Sequence, residues 1–371
     1  MKFGIITHSL HKIKDKQIFA YEPYVREMNL WAKYVDEIII ISPTSRDEIS
    51  SIETAYIHPN IKIIKIPSFD ITSLKGILKS LLVIPNICLK LYKVMKQVDH
   101  VHLRCPGNIG LLGCFVQVLF PSKNKTVKYA GNWDPNSRQP LSYKIQKRII
   151  SNTFLTRNCK VLVYGKWDNQ SKNIIPFFTA SYSKNEIEEI GYKTLNDSIN
   201  LLFVGTFSLG KQPLLAVKSA EQLLQKGYDV QLNMYGDGVE FSMIKQYIVE
   251  NKLSNHISLH GNQPKINIKK AFIESHFLVF ISKSEGWPKV VAEAMFWSCL
   301  AISTKVSCVP FMLNNGDRGG LLNGNSKEEV VEVIEQYICN KNVYIEEIIK
   351  ARKWSQEYTL EKFEKEIQKL I

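Results

Sequence analysis

Short apolar runs alternate with longer stretches of helical spacing along the whole chain. In the first half the runs are Lys2–Thr7, Glu37–Ser42, Ile61–Ile66, His100–Leu103, Thr126–Tyr129 and Val161–Tyr164, and Tyr24–Tyr34 is patterned as a helix. In the second half they are Leu201–Gly205, Val230–Tyr235, His256–Gly261, Phe277–Ser282 and Leu300–Thr304, with a short terminal run at Leu321 and Leu322. Strands that alternate with helices predict an α/β protein, a parallel sheet with helices on both faces. The polar stretch Asn185–Asn200 breaks the pattern and predicts a linker, dividing the chain into domains 1–190 and 191–355 with a last helix in 356–371. A length of 371 residues is ample for two cores.

Charge changes this picture by separating the halves. Residues 1–180 hold 26 Lys and Arg against 12 Asp and Glu, whereas residues 181–371 hold 22 against 23, so the net +13 belongs to the first half. Nucleic acid is the first partner such an excess suggests. No helix-turn-helix, zinc or RNA-binding pattern accompanies it, so none is predicted. The densest apolar and basic segment, Ser73–Lys96, spaces its lysines by three or four residues among Leu and Ile. It reads either as a helix lying on an anionic membrane or as a sheet-packed helix with snorkelling lysines. Leu81–Leu91 is too short to span a bilayer and is interrupted by Pro85 and Asn86. The chain opens on a core strand rather than a leader, which predicts a cytoplasmic protein, peripheral on the inner membrane face. Seven cysteines, with no C-x-x-C pair, argue against a disulfide framework or a structural zinc.

Candidate chemistry concentrates in Phe277–Met295, a strand, a glycine-containing turn and a helix. Pro288 suits the first helical turn, which places Glu285 and Gly286 at the helix mouth. Free N–H groups and the positive end of the dipole make that mouth a site for an anion such as a diphosphate. Glu293, further along the helix, can accept hydrogen bonds from vicinal hydroxyls such as those of a ribose. Such a spacing of two glutamates is by itself common in helical proteins. Lys211 follows the strand ending at Gly205, and Gly236 and Gly238 end the strand from Val230, where small residues permit close backbone approach to a ligand. In parallel sheets ligands sit beyond the carboxyl ends of the strands, where Lys211 and Glu285 would lie.

Ser282, Glu285, Gly286, Pro288, Glu293, Ala294 and Met295, followed by the strand Leu300–Thr304, resemble the E-x7-E signature of family 4 glycosyltransferases. A second block resembles that family's V-G-R-L-x-x-x-K-G: Lys211 stands in place, Thr206 replaces the Arg and Gln212 the following Gly. The resemblance implies the GT-B fold, two Rossmann-like domains facing each other across a cleft, with the last helix crossing back to the first domain. It further implies a metal-independent, retaining hexosyltransferase that uses no cofactor. Such an enzyme moves a sugar from a UDP- or GDP-linked donor to a glycan acceptor, lipid-linked, in capsule or exopolysaccharide biosynthesis. By the same resemblance Lys211, beside Thr206, and the helix start at Pro288 and Lys289 hold the diphosphate, Glu293 binds the ribose, and Glu285 with the Gly286–Trp287 backbone holds the donor sugar. The leaving phosphate takes the acceptor proton.

The chain departs from the family in several places. Ala130 or Gly131 stands where a His is common; Asn132 and Asp134 are candidate substitutes, and Asp134 reads equally as part of an Asx-turn. Ser307–Phe311 replaces G-G-x-P-E, and the loop after the first strand carries no G-x-G-x-x-G, which also argues against a dinucleotide cofactor. No Asp-x-Asp pair exists to hold a divalent cation. The segments Tyr21–Glu27, His102–Asn108 and Tyr129–Pro135 mix aromatic, charged and Gly or Pro residues as sugar-binding loops do. Two rival readings stand beside the transferase: a nucleotide-sugar 2-epimerase of the same fold, and a non-catalytic glycan- or membrane-binding protein with a decayed site.

Overall fold

The computed structural model describes residues 1–50, 52–69, 74–191, 193–195 and 198–371, without the side chains of 74–79 and 81. Part of the basic segment Ser73–Lys96 therefore lies outside the described residues. The chain forms two compact units, Met1–Phe177 with Glu364–Ile371, and Phe178–Phe363.

The first unit runs β1 (Lys2–Ile6), β2 (His11–Lys14), β3 (Gln17–Tyr21), α1 (Glu22–Ala32), β4 (Glu37–Ser45), β5 (Glu53–Ala55), β6 (Ile61–Ile66) and α2 (Leu74–Gln97). It continues with β7 (His100–Cys105), α3 (Asn108–Val116), β8 (Asn124–Tyr129), α4 (Leu141–Ser151), β9 (Cys159–Tyr164) and β10 (Ile174–Phe177). Its sheet has the order β10-β9-β8-β7-β1-β4-β2-β3-β5, with β6 also beside β4. The pairs from β10 through β1 to β4 and β6 are parallel. Successive side chains of a strand point to opposite faces. Ile6 accordingly packs with α2, α3 and α4 through Leu91, Ile109 and Ile150, while Phe3 stacks on Trp31 of α1 with centroids 5.8 Å apart. Burying a side chain such as Trp31 stabilises the unit by about 3 kcal/mol.

The hairpin of β2 and β3 was absent from the sequence expectation. Asp15 and Lys16 turn it at φ 49° and 65°. Two left-handed residues in a row are usually signalled by Asn-Gly or Asp-Gly, and Asp-Lys carries no such signal. Pro85 lies inside α2, which runs through it.

The second unit runs β11 (Ser198–Val204), α5 (Pro213–Gln225), β12 (Asp229–Tyr235), α6 (Phe241–Glu250), β13 (Ile257–Leu259), α7 (Lys265–Glu274) and β14 (Phe277–Phe280). It ends with α8 (Lys289–Phe296), β15 (Leu300–Thr304), α9 (Val309–Met312), β16 (Gly320–Leu322), α10 (Lys327–Cys339) and α11 (Lys341–Gln356); the last helix, α12 (Leu360–Gln368), begins in this unit and from Glu364 belongs to the first. Its sheet, β13-β12-β11-β14-β15-β16, is parallel throughout. The strand order reverses between β11 and β14, and ligands in such sheets bind at that switch point. The irregular segment before β11 is held by this unit. Tyr182 packs 4.9 Å from Phe296 and 5.0 Å from Trp297, and Lys193 donates to the carbonyls of Phe272, at 3.0 Å, and Ser275.

Candidate functional site

The loops that leave β11 and β14 meet at the switch point of the second unit. Lys283 N–H donates to the Gly210 carbonyl at 2.9 Å, which joins them by backbone. Across that junction the Lys211 ammonium pairs with the Glu285 carboxylate and lies 5.0 Å from the centre of the Phe280 ring. Ser282 Oγ also donates to Glu285. Lys211 is held from its own side as well, because Gln212 adopts a left-handed conformation, φ 48° and ψ 50°, and Pro213 then opens α5. The structure thus joins in one ion pair the two residues that the family resemblance gives to the diphosphate and to the donor sugar.

Gly236 and Gly238 support this loop. Gly236 has φ 128°, and a Cβ there would sit 1.9 Å from the Gly205 carbonyl oxygen; at Gly238 a Cβ would sit 2.5 Å from that of Phe207. Gly205 N–H donates to Tyr235 and Phe207 N–H to Asp237, each at 3.0 Å. The close approach that these glycines permit is therefore to the neighbouring loop of the protein itself. Thr206 is exposed on the same loop.

Helix α8 begins at Lys289, one residue later than the sequence expectation. Pro288 is its N-cap, with ψ 90°, and its carbonyl accepts from Val291 N–H at 3.0 Å. Gly286 is fixed by its carbonyl, which accepts from Ser307 Oγ at 2.9 Å and Cys308 Sγ at 3.3 Å. The segment Ser307–Phe311, which departs from the family pattern, thus still holds the turn before α8. Burial pushes the Cys308 thiol up to about 12, so it stays protonated and able to donate. The Trp287 side chain is buried, its ring 6.3 Å from Trp354, so its indole is part of the core beneath the turn. Glu293 is half-buried on α8 and accepts from Ser181 Oγ.

Asp134 lies in the first unit. Its Oδ1 accepts from Asn136 N–H at 2.8 Å, and its own N–H donates to Asn132 Oδ1 at 2.9 Å, a pair of Asx-turns. Nearby, the three loops that the sequence singled out converge at the ends of β7 and β8. Arg104 pairs with Glu27 at 3.1 Å and lies 5.3 Å from the Tyr24 ring. Ala130 N–H donates to the Cys105 carbonyl at 2.6 Å. Burial lowers the Arg104 pKa, but Glu27, Tyr164 and Tyr24 outweigh it and raise the group. Sequence reasoning passed over His8, His11 and Tyr56. His11 Nε2 and Tyr56 OH are 3.0 Å apart, and Gly107 packs so tightly that a Cβ there would come within 2.6 Å of His8 Nδ1. The position of His8 just past β1, at a strand's carboxyl end, was the available signal.

Residues 185–357 match the model of the family Glycosyl transferases group 1. An uncharacterized glycosyltransferase of Methanocaldococcus jannaschii is 28% identical over an alignment of 181 residues that covers 44% of this chain and 49% of that one. The capsular polysaccharide biosynthesis glycosyltransferase CapM of Staphylococcus aureus is 24% identical over 209 residues, 55% of this chain and 52% of that one. The chain spans about half the length of these curated relatives. Among solved structures, Anabaena HepE in complex with UDP and glucose is similar at a TM-score of 0.68 and 12% identity, over 100% of this chain and 98% of that one. Residues 185–357 are thus similar to the Glycosyl transferases group 1 family, and the chain has the GT-B fold.

Proposed function

We propose that this protein transfers a hexose from a nucleotide-diphosphate sugar to a glycan acceptor, lipid-linked, with retention, in the biosynthesis of a surface polysaccharide. The observation that carries the reading is the junction of Lys211 and Glu285 at the switch point, backed by the start of α8. A diphosphate arriving there competes with Glu285 for the Lys211 ammonium. Glu285 is then released toward the sugar hydroxyls, with Ser282 Oγ still donating to it. As the bond from the anomeric carbon to the phosphate oxygen breaks, negative charge grows on the diphosphate. Lys211 and the α8 N-terminus stabilise that charge where it develops. The acceptor hydroxyl forms its bond on the same face of the sugar and passes its proton to the leaving phosphate oxygen. Glu293 exchanges its Ser181 hydrogen bond for those of the ribose hydroxyls.

CapM, named for capsular polysaccharide biosynthesis, supports the pathway class, and the UDP and glucose bound to HepE support a UDP-linked hexose. The relatives described above are named glycosyltransferases, which sets the epimerase reading aside. A titration of UDP, GDP, ADP and dTDP, followed by melting temperature, tests the proposal. Stabilisation by one nucleotide, lost in Lys211→Ala and in Glu293→Ala, is the expected result. A protein stabilised by no nucleotide would be the decayed binding protein instead.

A further inference from the structure

The basic excess of the first unit falls in one stretch of its sequence, and half of those cations stand on α2 and α4. Between residues 71 and 167 the sequence holds 16 Lys and Arg against two acids, Asp99 and Asp134. Helices α2, α3 and α4 contain no Asp or Glu. All three lie on one face of the sheet, since Leu91, Ile109 and Ile150 share a core with Ile6, Leu103 and Val127. Away from that core the layer exposes large apolar side chains. Leu82 and Leu89 are 82% and 61% exposed on α2, Phe115 is 50% exposed on α3, and Leu141 at the start of α4 and Phe154 in the turn after it are each 72% exposed.

Cations stand among these apolar groups. Lys93, Lys96, Lys144, Arg148 and Arg157 are exposed, and among the described residues none has a carboxylate within ion-pair distance. Lys144 and Arg148 also line a hollow of about 330 Å³ beside α4, with Asp134 on its wall and Lys147 held 5.0 Å from the centre of the Trp133 ring. An ordinary solvated helix layer mixes both signs of charge, because like charges a turn apart repel. Exposed large apolar groups rimmed by such charges mark an interaction surface.

We infer that the outer face of α2, α3 and α4 docks on the surface of an anionic phospholipid bilayer. Lipid headgroups supply the missing negative charge, and the interfacial zone takes up the leucine and phenylalanine side chains. The hollow offers the phosphate of one headgroup three cations, Lys144, Lys147 and Arg148, against the single carboxylate of Asp134. No described helix is long and apolar enough to cross a membrane, so the contact is peripheral. Nucleic acid would satisfy the charge, but phosphate contacts engage basic and polar groups and give Leu82, Leu89 and Leu141 no apolar phase to enter. The inference is independent of the transfer reaction.

Co-sedimentation of the full chain with vesicles tests it. Vesicles of phosphatidylcholine containing phosphatidylglycerol should retain the protein, and phosphatidylcholine alone should not. Raising the salt to about 0.5 M should cut the binding roughly fivefold or more. Lys144→Glu with Arg148→Glu, and separately Leu141→Ser with Phe154→Ser, should each reduce binding at unchanged melting temperature. Lys245→Glu with Lys341→Glu, an equal change of charge in the second unit, should leave it intact. Equal retention on both vesicle types would overturn the docking surface, as would undiminished binding of the α4 variants. So would release of the protein from phosphatidylglycerol vesicles by duplex DNA at matched phosphate concentration.

Discussion

In the second unit lysines meet carboxylates across its surface: Lys226 pairs with Glu335 at 2.6 Å, Lys269 with Glu188 at 2.6 Å, and Lys350 with Asp317 at 2.7 Å. The helical layer of the first unit that carries α2, α3 and α4 has no acid on any of those helices. Both units are built on a parallel set of strands, extended by the antiparallel pairs of β3 with β2 and β5 in the first, and in both the strand order reverses beside a central strand, β1 in one and β11 in the other. Both also place an ion pair near that reversal, Arg104 with Glu27 and Lys211 with Glu285. One plan of sheet thus serves two ends. The fold provides a polar mouth in each unit, while the sign and pairing of the surface charge decide what each unit meets.

The pairs themselves can be set apart by substitution. Glu27 is 7% exposed by its side chain, so Arg104→Ala removes the guanidinium paired with a nearly buried carboxylate. That loss should cost about 3 to 5 kcal/mol in denaturant unfolding. A cost below about 1 kcal/mol would show that the Arg104 pair is not structural. Gly236→Ala comes next. Its Cβ would meet the Gly205 carbonyl oxygen at 1.9 Å, and φ 128° is foreign to alanine. A loss of about 2 to 3 kcal/mol, with the nucleotide response gone, is expected from such backbone strain.

Acid should separate the units by their buried histidines. Burial holds His11 and His100 at about 4 in the first unit, and pushes His102 well below the usual range. In the second unit burial, aided by the Lys193 charge, holds His276 at about 4. The unfolded chain takes up these protons near pH 6.5, whereas folded His11, His100 and His276 do so only near 4, so stability falls as pH drops through that window. Amide exchange measured from pH 7 to 4 should show the first unit opening before the second; the reverse order would break the comparison. The smallest expected change is Lys211→Ala. With Glu285 11% exposed and still bonded to Ser282, it should cost about 1 kcal/mol or less, while removing the nucleotide shift in melting temperature.

Much of the fold was legible along the chain, because consecutive apolar residues such as Ile38–Ile41 and Phe277–Phe280 are uninformative about partner but unambiguous about burial. The hairpin of β2 and β3 was not, since its turn uses Asp15 and Lys16 without a glycine. Among the site residues, Lys211 and Glu285 stood out by place, just beyond buried strands. Their mutual pairing did not, because they lie far apart in sequence and meet only through the adjacency of β11 and β14. The glycines at 236 and 238 were visible as a close-approach motif, but that they approach the loop at Gly205 and Phe207 depends on how β12 lies against β11.

By itself the sequence determined the strands and helices, the segregation of positive charge and the strand ends at which chemistry would gather. These follow from local pattern, since burial and helix or strand period are written residue by residue. Tertiary structure alone decided which loops touch. It made Arg104 the partner of Glu27 and Lys211 that of Glu285, and it laid three acid-free helices side by side. Such pairings depend on strand order and loop closure over long stretches of chain, which no local preference encodes.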